Sequence, residues 1–133
     1  MGCLHRINGQ DLPSVQQTIS AKLAQDSAIT HIVTLDAGIA TAAVQAKGDA
    51  GSQAQIATFD LSPDVVRAIQ DGRIEFSVDQ QPYLQGYLAV DSLWLQLTNG
   101  NDIGGGRPVL TGPSFVDSSN IDKIADFAAS NTR

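Results

Sequence analysis

Three strand-like runs in this chain each stop on a side chain that can hydrogen-bond a ligand. Ile32-Val33-Thr34-Leu35 runs into Asp36, Ile56-Ala57-Thr58-Phe59 into Asp60, and Ile74 to Asp79 into Gln80. The stops are 24 and 20 residues apart, and a helix-like segment follows each one. This is a βα repeat. Parallel strands joined by helices bring their carboxyl ends to one edge of a sheet, and open α/β sheets bind ligands along that edge. Asp36, Asp60 and Gln80 are therefore expected on one cleft wall. Carboxylates accept from hydroxyls and an amide both donates and accepts, a set suited to a neutral polyol.

The periodicity around these stops fills in an α/β chain. Asp11 is positioned to cap a helix with Pro13 in its first turn. Leu12, Val15, Ile19 and Leu23 recur at helical steps within it. From Asp36 to Ala50 a narrow stripe of Ile39, Ala43, Val44 and Ala46 predicts a helix lying close to a sheet. Ser62 and Pro63 read as cap and first turn of the next helix, with Val65, Val66 and Ile69 inward and Gly72 at its end. Pro82 opens the longest predicted helix, to about Asn99. Its apolar set runs through Tyr83, Leu84, Tyr87, Leu88, Val90, Leu93, Trp94, Leu95 and Leu97, too broad for a surface helix. It is expected to be covered on more than one side. Beyond it come a loop through Gly104, Gly105 and Gly106, a short extended segment at Pro108 to Leu110, and a last helix. Ile121, Ile124, Ala125, Phe127 and Ala128 are expected on that helix's inner side. The strands number about four, possibly five.

With 133 residues, the chain is long enough for one compact domain. Its net charge of -6, with eight basic residues scattered along it, argues against a nucleic-acid surface. The same balance argues against an anionic membrane surface. No run approaches a membrane span, and no basic-apolar signal segment opens the sequence. Cys3 is the single cysteine, which excludes an intramolecular disulfide and a cysteine metal cluster. A buried or incidental thiol is its expected role.

Each candidate also has a structural reading. Asp36 and Asp60 could serve as helix N-caps, and Gln80 as a turn residue before Pro82. Asp79 points to the opposite side of its strand and reads as structural. A general acid and base pair at Asp36 and Asp60 would need an aromatic platform, yet the aromatics cluster in the long helix. A divalent cation between Asp60 and Asp79 lacks further carboxylates. His5 and His31 read as ordinary histidines, with His31 half-buried at a strand start. Gly104 to Gly106 lacks the Gly-Lys-Ser/Thr and helix of a phosphate loop. Tyr83, Tyr87 and Trp94 have helical spacing and read as core or interface. No metal, cofactor or catalytic group is implied.

Several segments together carry a family resemblance. They are Ala57-Thr58-Phe59-Asp60-Leu61-Ser62-Pro63, then Ala68-Ile69-Gln70-Asp71-Gly72-Arg73-Ile74, then Val78-Asp79-Gln80-Gln81-Pro82-Tyr83-Leu84-Gln85-Gly86-Tyr87, and finally Gly105 to Pro113. In this order they resemble the carboxyl-terminal portion of a type I periplasmic sugar-binding protein of bacterial ABC importers, of the ribose, inositol and rhizopine-like kind. The Asp-Gln-Gln-Pro-Tyr-x-Gln-Gly run is the most specific piece. The resemblance implies a flavodoxin- or Rossmann-like lobe with a small parallel sheet flanked by helices, truncated relative to a two-lobed family member of about twice the length. It implies that residues 1–80 and 109–133 belong to the carboxyl lobe, while the helix 82–99 packs on an amino lobe. Carried over by position, Asp36 and Asp60 are ligand contacts at strand ends and Gln80 is a contact at the hinge. The segment near Asn8 and Gln10 falls where another contact often sits.

The expected function is non-catalytic recognition of a sugar or polyol, with an ABC permease as partner and a periplasmic location by resemblance. Two alternatives stay open. One is the effector-binding lobe of a LacI-type transcription regulator, although no helix-turn-helix precedes the repeat. The other is a fragment with no present binding activity that self-associates through the 82–99 helix.

Overall fold

The computed structural model describes residues 11–133. Cys3, His5, Asn8 and Gln10 lie outside the described residues. In order come α1 (Leu12–Gln25), β1 (His31–Val33), α2 (Ala37–Asp49), β2 (Gln55–Phe59), α3 (Pro63–Gln70) and β3 (Phe76–Asp79). Then follow α4 (Pro82–Asn99), a 3-10 turn (Gly104–Gly106), β4 (Ser114–Asp117), a second 3-10 turn (Ile121–Lys123) and α5 (Ala125–Ala129).

Local chemistry sets the helix starts. Asp11 accepts from the Ser14 N–H at 3.2 Å, and Ser62 accepts from the Val65 N–H at 3.2 Å. Each has a proline in the first turn, whose missing N–H costs nothing there. Gly72 closes the α3 end at φ 70°, a left-handed angle that only glycine takes without penalty. At β4, the hydroxyl and N–H of Ser119 hold the Asp117 carboxyl below its ordinary range. That turn therefore gains stability above the unfolded-state pKa and loses it as pH falls through the lowered one.

The sheet has the order β1-β2-β3-β4. β1, β2 and β3 are parallel, with Ile32 opposite Ile56, and Ala57 opposite Phe76. β4 joins antiparallel, with Val116 opposite Ser77 and Ser114 opposite Asp79. The three parallel strands are those read from the sequence. The fourth lies at Ser114–Asp117, whereas the expected extended segment at Pro108 to Leu110 forms no strand. β4 is four residues of mixed polarity, so its pairing with β3 decides its conformation, as context does for most short strands.

The sheet grows in one direction through β1, β2 and β3, so right-handed connections put α2 and α3 on the same face. α1 packs on α2, α2 on α3, and α3 on α5. The core lies between this layer and one sheet face. Val15, Ile19, Ala43, Ala46, Val65 and Ile69 meet Ile56 and Val116 there. Small residues in α2 bring its backbone close, as its sequence stripe predicts, although Ala40 and Ala42 are buried where Ile39 and Val44 are only half-buried. Leu12, Phe127 and His31 are exposed rather than inward. Leu12 sits in the first turn of α1, lining a depression between α1, α2 and α3, and α5 is one short turn that buries only Ala128.

The opposite sheet face is apolar and open. Val33, Ala57, Phe59, Phe76, Val78 and Phe115 share it by register, followed by Leu35. Val33 is 66% exposed and Leu35 74%. Phe76 and Phe115 pack ring to ring at 5.8 Å. Parallel sheets are ordinarily covered on both faces. α4 is equally uncovered: it buries no residue and packs extensively on no other described element. The covering expected from its composition is not supplied by residues 11–133. No described helix is long and apolar enough to cross a membrane. Gly104–Gly106 forms a short turn rather than an open loop.

Asp79 is 1% exposed and is held on both of its carboxylate oxygens. Arg133 donates from Nε at 2.7 Å, the Gln81 N–H donates at 2.9 Å, and Arg133 also reaches Ser114 Oγ at 3.1 Å. The structural role read for Asp79 is this one. Arg133→Met leaves a buried carboxylate short of its cation and is expected to lower unfolding stability by about 3 kcal/mol. Urea denaturation checks this, and an unchanged midpoint contradicts it.

Candidate functional site

The site is built where the three parallel strands end. Their ladder continues one step past the strands proper. The Thr34 N–H donates to the Ala57 carbonyl at 3.0 Å, and the Asp60 N–H to the Val78 carbonyl at 3.1 Å. Asp36 and Asp60 therefore leave adjacent strands, about 5 Å apart per strand step, with Gln80 on the third.

Beneath them runs a row of buried hydroxyls. Thr34 Oγ1 donates to Thr58 Oγ1 at 2.6 Å, and Thr58 Oγ1 reaches the Phe59 carbonyl at 3.1 Å. Ser77 Oγ donates to the Asp60 carbonyl at 2.6 Å. Each hydroxyl satisfies a backbone or side-chain acceptor that would otherwise be buried unpaired. This row locks the strand ends in register. The repeated Thr-x-Asp of Thr34-Leu35-Asp36 and Thr58-Phe59-Asp60 is the sequence signal for it, and the strand-end reading passed over these hydroxyls.

The three predicted residues play different local parts. Asp36 is an N-cap: its Oδ1 accepts from the Gly38 N–H at 2.8 Å and the Ile39 N–H at 3.1 Å. Gly38 is suited to this, because a Cβ there would sit 3.0 Å from that oxygen. Oδ2 of Asp36 has no hydrogen-bond partner among the described residues, so capping leaves it available as an acceptor. Asp60 caps nothing, since Ser62 caps α3. It adopts φ 65°, a left-handed angle uncommon outside glycine but tolerated by aspartate. Its Oδ1 accepts from Gln80 Nε2 at 2.8 Å.

The structure thus brings Asp60 and Gln80 into direct contact and sets Asp36 on the neighbouring strand end without contact to either. Asp36 and Gln80 are exposed and Asp60 is half-buried. What remains available is acceptor capacity on both carboxylates, and the side-chain Oε1 of Gln80 with its second amide hydrogen. That set accepts from and donates to hydroxyls on one face of a small molecule. Among the described residues, no group of three or more histidine, cysteine, aspartate or glutamate side chains could hold a metal ion.

Two concavities among the described residues lie elsewhere. A depression of about 400 Å³ sits between α1, α2 and α3, lined by Leu12, Gln16, Thr41, Val44 and Arg67. Another of about 200 Å³ lies at the opposite end of the strands, by Gln55, Gly72 and Glu75. The strand-end site is one open wall.

Residues 4–102 match the family described as periplasmic binding protein domain. A carbohydrate transporter from Acidothermus cellulolyticus 11B, solved in complex with myo-inositol, is 55% identical and superposes with a TM-score of 0.90. That match covers 96% of this chain and 44% of the transporter. The xylose/arabinose-binding protein XylF of Sulfolobus acidocaldarius is 38% identical over 63 residues, 47% of this chain and 15% of its own length. A Caulobacter myo-inositol binding protein, solved with myo-inositol, shares the fold at 21% identity and TM-score 0.72, over 92% of this chain and 40% of its own. The chain thus spans less than half the length of these proteins.

An Asp60 substitution separates fold from site. Asp60→Gly removes the side chain while suiting the left-handed angle. Its stability is expected to hold or rise by up to about 1 kcal/mol in thermal melts, because backbone strain is relieved. A drop of several kcal/mol would show that the carboxylate is needed for folding.

Proposed function

Because this chain belongs to the periplasmic binding protein domain family, we propose that it recognises a neutral sugar or polyol, without catalysis, as part of a substrate-binding protein of an ABC importer. The observation that carries this reading is the Asp60–Gln80 pair at the carboxyl ends of adjacent parallel strands. The pair is preorganised, half-exposed, and has hydrogen-bonding capacity left over. Asp36 extends the wall by one strand. Binding occurs along this edge in open α/β sheets. The complex of the 55% identical transporter with myo-inositol makes a cyclic polyol the leading ligand class, and the XylF likeness adds pentoses. The periplasm is the compartment this reading implies, and an ABC permease the partner.

We further propose that residues 1–80 and 109–133 form one lobe, the carboxyl one, of a two-lobed protein. α4 would then pack on the other lobe, whether that lobe belongs to the same polypeptide or to a second. Gln10 is included as a fourth ligand contact on this reading. Two bare apolar surfaces support the arrangement: α4, and the open sheet face around Val33, Leu35 and Phe115. A single open wall makes only half the hydrogen bonds of a closed cleft and leaves the ligand wet, so affinity should depend on the second lobe.

The test is calorimetry and thermal shift with myo-inositol, xylose and arabinose, with and without the amino lobe of the 55% identical transporter. Ligand at a hundred times Kd is expected to stabilise the binding form by about 2.7 kcal/mol. Asp60→Ala should weaken binding by about 1–3 kcal/mol, leaving a ligand hydroxyl unpaired. A parent protein that binds none of these sugars in either form overturns the reading.

Covering of α4 has its own signal. Trp94 is the single tryptophan and is 60% exposed. Its fluorescence is expected to be that of a solvated indole in the dilute chain, and to shift to the blue when the second lobe is added. A blue shift with concentration alone would favour self-association through α4 instead. An emission unchanged in both experiments contradicts α4 as a packing surface.

A further inference from the structure

The Gln80 side chain has no element of its own to hold it. It is exposed, it follows the last residue of β3, and a free glutamine there would sample many rotamers. Yet its amide is directed onto Asp60. The reason lies on its other side. The Gln80 backbone carbonyl accepts two hydrogen bonds, from Gln85 Nε2 at 2.8 Å and from Thr111 Oγ1 at 3.1 Å. Both lone pairs are therefore occupied. Fixing that oxygen fixes the plane of the 80–81 peptide, and with Asp79 held in β3 this sets the direction in which the Gln80 side chain leaves the backbone.

The two donors come from opposite ends of one excursion. Gln85 lies in the first turn of α4, and Thr111 lies just before the chain re-enters the sheet at β4. Residues 82–110 leave and return through a neck in which 79–81 and 111–114 run side by side. The Gln81 side-chain amide donates to the Thr111 carbonyl, and the Gln81 N–H binds Asp79. Gln81 sits at φ 57° to make both contacts. A Cβ on Gly112 would come within 3.2 Å of the Asp79 carbonyl, so the two segments approach as closely as glycine permits.

We propose that Gln85 and Thr111 are positioning residues that orient the Gln80 side chain through its carbonyl, coupling the ligand-facing amide to the placement of α4 and the return segment. This deepens the proposed function and rests on it for the word ligand. The orientation itself can be read without any ligand. Moving α4 relative to the sheet must stretch or release the Gln85 bond, so the Gln80 amide responds to the position of the arm.

The experiment follows the Gln80 side-chain amide by NMR in the ligand-free chain, with Gln80→Ala assigning its two proton signals. In the parent these signals are expected to be separated from those of free glutamine and slowed in solvent exchange. In Thr111→Val with Gln85→Met they should move to the free values while backbone signals of β2 and β3 stay in place. Thr111→Ser keeps the hydroxyl and should restore the parent signals. If the double variant loses its fold, the single substitutions give the same reading one bond at a time. Calorimetry with myo-inositol is the second arm, with binding expected to weaken about three- to tenfold on losing one such bond. A Gln80 amide unmoved in the folded variants overturns the proposal. A parent that binds no polyol overturns the proposed function alone, because the amide signals still decide the positioning.

Discussion

The level alignment of three parallel strand ends is the constraint on which the rest depends. Ligand-facing groups on separate strands can form a wall only if their strands stop at one height. Here that height is enforced from below. Thr34, Thr58 and Ser77 fill the last buried layer with hydroxyls that bond across strands or to the carbonyls just above. A slip of one residue would turn the inward hydroxyls outward and bring Leu35 and Phe59 into the core. The polar layer therefore acts as a register pin. It also explains how Asp60 can hold a left-handed backbone: its N–H and carbonyl are both tied to β3, at Val78 and Ser77.

Burial in the sheet is one-sided. Helices α1, α2, α3 and α5 cover one face with small and β-branched side chains, and that half has the pattern of a finished core. The other face and α4 carry large apolar groups in the open. Exposed apolar surface on this scale marks an interaction site. The relatives are more than twice as long as the part this chain matches. The site is one-sided as well, a wall with no opposing wall among the described residues.

Where the chain leaves the sheet, polar chemistry replaces packing. Asp79, Arg133, Ser114, Gln81 and Thr111 form a connected set in which each oxygen of the buried carboxylate accepts a hydrogen bond. Such a set favours one arrangement of the two passing segments, because any other leaves a buried charge unpaired. The consequence reaches the site, since Gln80 lies between this network and Asp60.

The sequence by itself determined whatever depends on neighbours a few residues away. The helix starts at Asp11 and Ser62, the turn at Gly72, the three parallel strands and the stops at Asp36, Asp60 and Gln80 are all local patterns of polarity, capping and backbone freedom. Fold class and the edge carrying the candidate site follow from their order. Tertiary structure decided what depends on register and distance along the chain. Ser114–Asp117 is a strand because β3 offers a free edge, not because its own four residues demand it. Asp36 became a cap with an oxygen to spare, while Asp60 became a left-handed residue touching Gln80. Asp79 found Arg133, 54 residues away, a pairing that no local period could indicate. Nor could composition say that the apolar helix Pro82–Asn99 would stand uncovered: a hydrophobic pattern states that a surface is to be buried, and only the folded neighbours state against what.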